Sequence, residues 1–183
     1  MRKLFFPLLA MVLFIACKNE KPAENKEAAV AAGGETKAAA DVEIADAKYI
    51  DIGKKGIAAL SSGDIDGWMT GYADNAMYRW NNGDSAAGKA AISAYWKKRR
   101  TEVIDSISFS SDIWLPVKVN KPQQEVQLPG VWLLGWYRVN AKYKTGKRMQ
   151  QWIHTDIHFD ANDKIDLTIQ YLDRALINEA TKK

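Results

Sequence analysis

A chain of 183 residues that is 47% hydrophobic and 10% aromatic has the size of one domain and can fill one packed core. Its formal charge of +4 does not describe a nucleic-acid surface. The one basic run, Lys97-Lys98-Arg99-Arg100, follows an apolar helical stretch and reads as a solvated helix end, where cations suit the helix dipole. A single cysteine excludes an internal disulfide framework and asks for another explanation.

The first seventeen residues supply it. Met1-Arg2-Lys3 is a short positive segment, Leu4 to Ile15 is apolar, and Ala16 is the small residue a signal-cleavage site requires. Phe14-Ile15-Ala16-Cys17 resembles the lipobox of bacterial lipoproteins, with Phe14 where an aliphatic residue is usual. The apolar stretch is shorter than the about 20 residues a membrane span needs. Residues 1–16 are therefore expected to be a removable signal peptide. The resemblance implies lipidation of Cys17 and anchoring to a membrane of the bacterial envelope, facing the periplasm or the surface. Without the signal the charge falls to +2, from 24 basic and 22 acidic residues. Residues 18–40 are mostly Ala, Lys, Glu and Gly; they bury too little apolar surface to offset ordering entropy and read as a tether. The folded domain is expected over residues 41–183.

From Asp41 onward the texture changes. Tyr49, Ile52, Gly56 and Leu60 recur at helical spacing until Ser61-Ser62-Gly63-Asp64. Asp64 can cap a second, short helix reaching Tyr72. Met77 to Trp80 reads as a strand, Asn81-Asn82-Gly83-Asp84 as a turn, and Gly88 to Arg100 as a third helix. Ile107, Phe109, Ile113 and Leu115 mark a strand broken at Pro116, followed by a long polar loop over 117–130. Val131 to Lys144 and Lys147 to Phe159 form a hairpin about Thr145-Gly146, and Lys164 to Leu172 is the last strand. Helices first and a strand meander afterwards give an α+β fold.

This order resembles the nuclear transport factor 2-like, or SnoaL-like, superfamily. The carrying motifs are Ser62-Gly63-Asp64-Ile65-Asp66-Gly67-Trp68, Tyr72-Ala73-Asp74-Asn75-Ala76, Gly88 with Ile92 and Tyr95-Trp96, and Phe159 to Ile165 followed by Gln170-Tyr171-Leu172-Asp173. The resemblance covers about residues 43–175. The resemblance implies a cone, in which a strongly curved antiparallel sheet wraps three N-terminal helices and leaves a pocket at its open end. Members include isomerases, cyclases, dehydratases and transport factors, so the fold alone does not fix the function.

The resemblance also implies where chemistry would sit. The tyrosine, base and acid positions of the ketosteroid isomerases fall on Gly56, Trp80 and Thr155, and a supporting tyrosine falls on Trp96. No proton-transfer group remains. The expected pocket is aromatic, walled by Trp68, Tyr72, Tyr78, Trp80 and Trp96, with Gln151, Thr155 and Gln170 as its polar groups. It suits a small apolar or aromatic ligand bound without catalysis. If the tryptophans simply fill the cone, the protein is instead a dimeric interaction module.

His154, Asp156 and His158 alternate along one strand face. Two ligands four residues apart on a strand lie roughly 13 Å apart, which argues against a shared metal. If Thr155 points inward these three point out, sharing the convex face with Trp132, Trp136 and Trp152, a face expected to make a homodimer or partner interface. A one-residue slip would reverse this and make His154, Asp156 and His158 a SnoaL-like acid–base set. No cofactor is expected, since no nucleotide loop, zinc signature or nucleophile elbow occurs.

Overall fold

The computed structural model describes residues 39–182 apart from Val126. The signal peptide, Cys17 and nearly all of the tether lie outside the described residues. Among the described residues seven strands form one sheet in the order β1-β4-β5-β6-β7-β2-β3. These are β1 (Val42–Ile44), β2 (Tyr72–Trp80), β3 (Ser85–Ala87), β4 (Ile104–Val119), β5 (Gly130–Tyr143), β6 (Arg148–Phe159) and β7 (Ile165–Tyr171). Four α-helices accompany them: α1 (Lys48–Ser62), α2 (Ile65–Met69), α3 (Lys89–Lys98) and α4 (Arg174–Thr181), with a π-helical turn Arg99–Val103 after α3.

The joint between α1 and α2 falls where the local chemistry predicts, but α2 stops at Met69 instead of reaching Tyr72, which already opens β2, and α3 gives way at Arg99 to the π-helical turn. Gly63, at φ 85°, closes α1 and returns its N–H to Ala59. The Asp64 side chain accepts the Gly67 N–H at 2.8 Å and caps α2. α3 turns Ile92 and Trp96 into the core. The hairpin of β5 and β6 closes through Lys144-Thr145-Gly146-Lys147, with Gly146 at φ 86°. Among the described residues, the sheet bends where β4 carries a bulge between Ser110 and Ile113, and Ser111 sits there at φ 55°.

Further features depart from the expectation. The sheet is mixed, because β2 lies parallel to β7. Hydrophobic alternation fixes which face a strand buries but not the direction of its neighbour. β4 runs through Pro116 to Val119, so the loop is shorter than 117–130. Pro116 accepts the Ala45 N–H on its β1 side, and its missing N–H faces that same side, just past the end of β1, where no ladder bond is lost. The fourth helix, α4, was not anticipated. The Lys97–Arg100 run is only partly a solvated end, since Arg99 and Arg100 are half-buried.

Most of the core lies between the helices and the concave face, around Leu60, Ile92, Tyr78, Trp96 and Leu133. A smaller cluster of Val119, Trp132 and Leu167 sits on the convex face.

Candidate functional site

The concave side holds two separate voids. The deep one, about 30 Å³, lies among Gly53, Trp68, Tyr72, Tyr78, Tyr137 and Thr155. That is room for about one water molecule. Aromatic rings plug this end: Trp68 meets Tyr72 at 5.2 Å and Trp96 at 5.7 Å between centroids. The Tyr137 and Thr155 hydroxyls share a hydrogen bond of 2.6 Å, and those of Tyr72 and Thr168 one of 3.3 Å. Burial holds the Tyr72, Tyr78 and Tyr137 phenols above the ordinary phenol range.

The outer void is larger, about 130 Å³. β5 contributes Val139, Ala141 and Tyr143, β6 contributes Met149 and Ile153, and β4 contributes Ile107 and Phe109. Trp80, Tyr95 and Trp96 form an aromatic wall. Helix α4 forms part of the wall through Ile177, Asn178 and Thr181. Asp173 caps that helix at Ala175 N, and Thr145 Oγ1 donates to the Ala180 carbonyl at 2.6 Å. Arg99 and Arg174 complete the lining beside Gln170.

The expected pocket residues are thus divided. Trp80, Trp96 and Gln170 line the outer void, while Trp68, Tyr72, Tyr78 and Thr155 line the deep one. The expected single hollow between Trp80, Trp96 and Thr155 is not there, because Tyr78 packs against both tryptophans at 4.8 and 6.1 Å. Gln151 lines neither void. Its amide donates to the Asp173 carbonyl at 3.2 Å and accepts the Asp173 N–H at 2.8 Å, pinning the start of α4. Sequence reading missed Tyr95, Arg99, Phe109 and Arg174. Arg99 belongs to a charge run taken for a solvated end, and Arg174 enters through a helix with only two turns of pattern.

Among the described residues no Asp, Glu or His lines the outer void. The titratable side chains in its wall are two arginines and two tyrosines, and burial raises the Tyr143 phenol while Arg99 partly offsets it.

The histidines lie on the opposite face. His154 stacks between Trp136 and Tyr171, at 4.6 and 5.5 Å. Its Nδ1 meets the Gly135 carbonyl at 3.0 Å and its Nε2 the Asp156 carboxylate at 2.7 Å. His158 Nδ1 meets Asp166 at 2.6 Å and Nε2 meets the Pro129 carbonyl at 3.0 Å. Each ring nitrogen faces a protein oxygen at 2.6–3.0 Å, so neither ring presents an open nitrogen to a metal. Burial raises the Asp156 carboxyl, with His154 opposing it. Among the described residues no group of three or more His, Cys, Asp and Glu could hold a metal ion.

The interface residues proposed from sequence also differ in position. Trp132 is buried under the 120–129 loop, where Nε1 donates to the Leu128 carbonyl at 2.9 Å, and it has little surface to offer a partner. Trp152 is 54% exposed and shares the convex side with the exposed Ile113 and Tyr171.

No family model matches the chain, and no curated protein matches it. Solved structures do. A protein of unknown function from Burkholderia pseudomallei, described as NTF2-like, superposes with a TM-score of 0.59 at 12% identity, covering 75% of this chain and all of that one. The domain has the nuclear transport factor 2-like fold. A second NTF2-like protein, from Burkholderia xenovorans, gives a TM-score of 0.56 at 18% identity, over 76% of this chain and 100% of its own. An LEH-like epoxide hydrolase from M. tuberculosis gives 0.51 at 14% identity, over 72% and 87%. At such identities the likeness to the nuclear transport factor 2-like structures concerns the fold.

Proposed function

We propose that the protein is a lipid-anchored envelope component whose domain binds one small apolar or aromatic molecule in the outer void without transforming it. The single observation that carries the binding reading is a cavity of about 130 Å³ walled by Trp80, Tyr95, Trp96, Phe109 and Tyr143, with no carboxylate or imidazole in its lining. An apolar hollow of roughly 150 Å³ can hold a benzene-sized guest, so the volume suits a single ring. The nuclear transport factor 2-like fold itself hosts binding proteins and enzymes, and an epoxide hydrolase is among the similar structures. The acid–base alternative draws no support from the geometry. His154, Asp156 and His158 lie across the sheet from the cavity, where His154 pairs with Asp156 and the Gly135 carbonyl and His158 with Asp166 and the Pro129 carbonyl.

Calorimetric titration of the full-length chain with toluene tests binding. Saturable one-to-one heat is expected, and Ala141→Leu, which places extra methyl groups inside the void, should abolish it while the thermal midpoint stays within a few degrees. Toluene binding that survives Ala141→Leu would place the guest elsewhere. Anchoring rests on residues 1–17 and has its own readout. The wild-type chain should sediment with membranes in a bacterial host, and Cys17→Ser should move it to the soluble fraction. Sedimentation of that variant with membranes would refute lipidation at Cys17.

A further inference from the structure

We infer that the guest of the outer void is an anion, a monocarboxylate whose body is one aromatic ring or a short branched chain; this deepens the binding role proposed above and rests on it. Two guanidinium groups bracket an aromatic pair in the cavity wall. Arg99 lies 5.7 Å from the Tyr95 ring, Tyr95 lies 4.7 Å from Trp80, and Arg174 lies 5.6 Å from the Trp80 ring. Both arginines line the cavity and no carboxylate does.

The hydrogen-bond inventory points the same way. Asp84 holds Arg174 Nη1 at 3.3 Å, and Asp84 is itself largely exposed. Arg174 Nε is buried and has no acceptor. Asp84 thus engages the guanidinium at Nη1 and leaves unpaired its Nε, one donor of the fork that meets a carboxylate through two parallel hydrogen bonds. Among the described residues no carboxylate lies within 4.0 Å of Arg99. The Trp96 indole, another wall of the cavity, also has a buried N–H without an acceptor. Buried donors are nearly always paired in native proteins. Here two unpaired donors and a second cation belong to residues around one apolar hollow. A carboxylate supplies the acceptors and the charge, and a ring or branched chain fills the interior.

The test compares benzoate with benzamide, its neutral near-isostere, by calorimetry on the full-length chain, with toluene as the reference for the apolar site. Benzoate should bind at least tenfold more tightly than benzamide. Arg174→Gln should erase that preference and Arg99→Gln should reduce it several-fold, with toluene binding retained in both. Arg174→Lys, which keeps the charge but not the fork, should fall between wild type and Arg174→Gln. Equal affinity for benzoate and benzamide, or a preference untouched by either glutamine variant, overturns the inference while toluene binding leaves the apolar-ligand role standing. Failure of all three compounds to bind removes both.

Discussion

Replacing Tyr78 by alanine should cost about 3–5 kcal/mol of folding stability, the range for truncating a large buried aromatic residue. Tyr78 is almost wholly buried and lies between the two hollows, touching Trp80 and Trp96 on one side and lining the deep void on the other. Its removal takes away packing against both tryptophans and opens a passage from the outer hollow toward Thr155. Denaturant unfolding measures the first effect. The second should appear as binding of a two-ring compound such as naphthalene, which the wild-type hollow is too small to take. A loss under about 1 kcal/mol would mean that the neighbouring rings close in, and the division of the cone would not depend on this side chain.

Gly135→Ala is the second large effect, expected at about 1–3 kcal/mol from overpacking. A Cβ built on Gly135 would stand 2.3 Å from Trp114 Cζ3, and one on Gly53 of α1 would stand 2.9 Å from the same atom. The indole is thus wedged between a strand and a helix, each of which gives it room by having no side chain. It cannot swing aside cheaply, because Nε1 donates to Asp112 at 2.7 Å. Gly71→Ala is the control: its new methyl would sit at an ordinary 3.5 Å from the Trp68 carbonyl, and thermal melting should barely change. Equal midpoints for the two variants would show that Trp114 yields.

The elements that carry strong local signals were readable from the residues. Asp64 and Gly63 mark the joint between α1 and α2 because cap and left-handed backbone are local chemistry. That Thr155 and His154 face opposite sides follows from the alternation of one long strand, while which of them faces inward came from the family resemblance and not from the pattern. The rest depended on partners distant in sequence. Pro116 looked like a strand terminator because its tolerance rests on where β1 happens to end. Gln151 looked like a pocket group because its position faces inward, and only the arrival of Asp173 shows what its amide does. Trp132 looked like interface because the loop that buries it is polar and irregular. Arg99 and Arg174 could not be paired from the sequence, since the two residues come together only through Tyr95 and Trp80.

The parallel junction of β2 with β7 has a consequence for how the chain acquires its shape. Tyr72 aligns with Ile165 and Trp80 with Gln170, so a segment made early waits for one made about ninety residues later. Pairings of such long sequence separation slow folding, because the entropy of closing the loop is lost before any contact rewards it. The hairpin of β5 and β6 can form on its own, whereas the part of the wall in which Trp80 and Gln170 meet cannot form before β7 has been made.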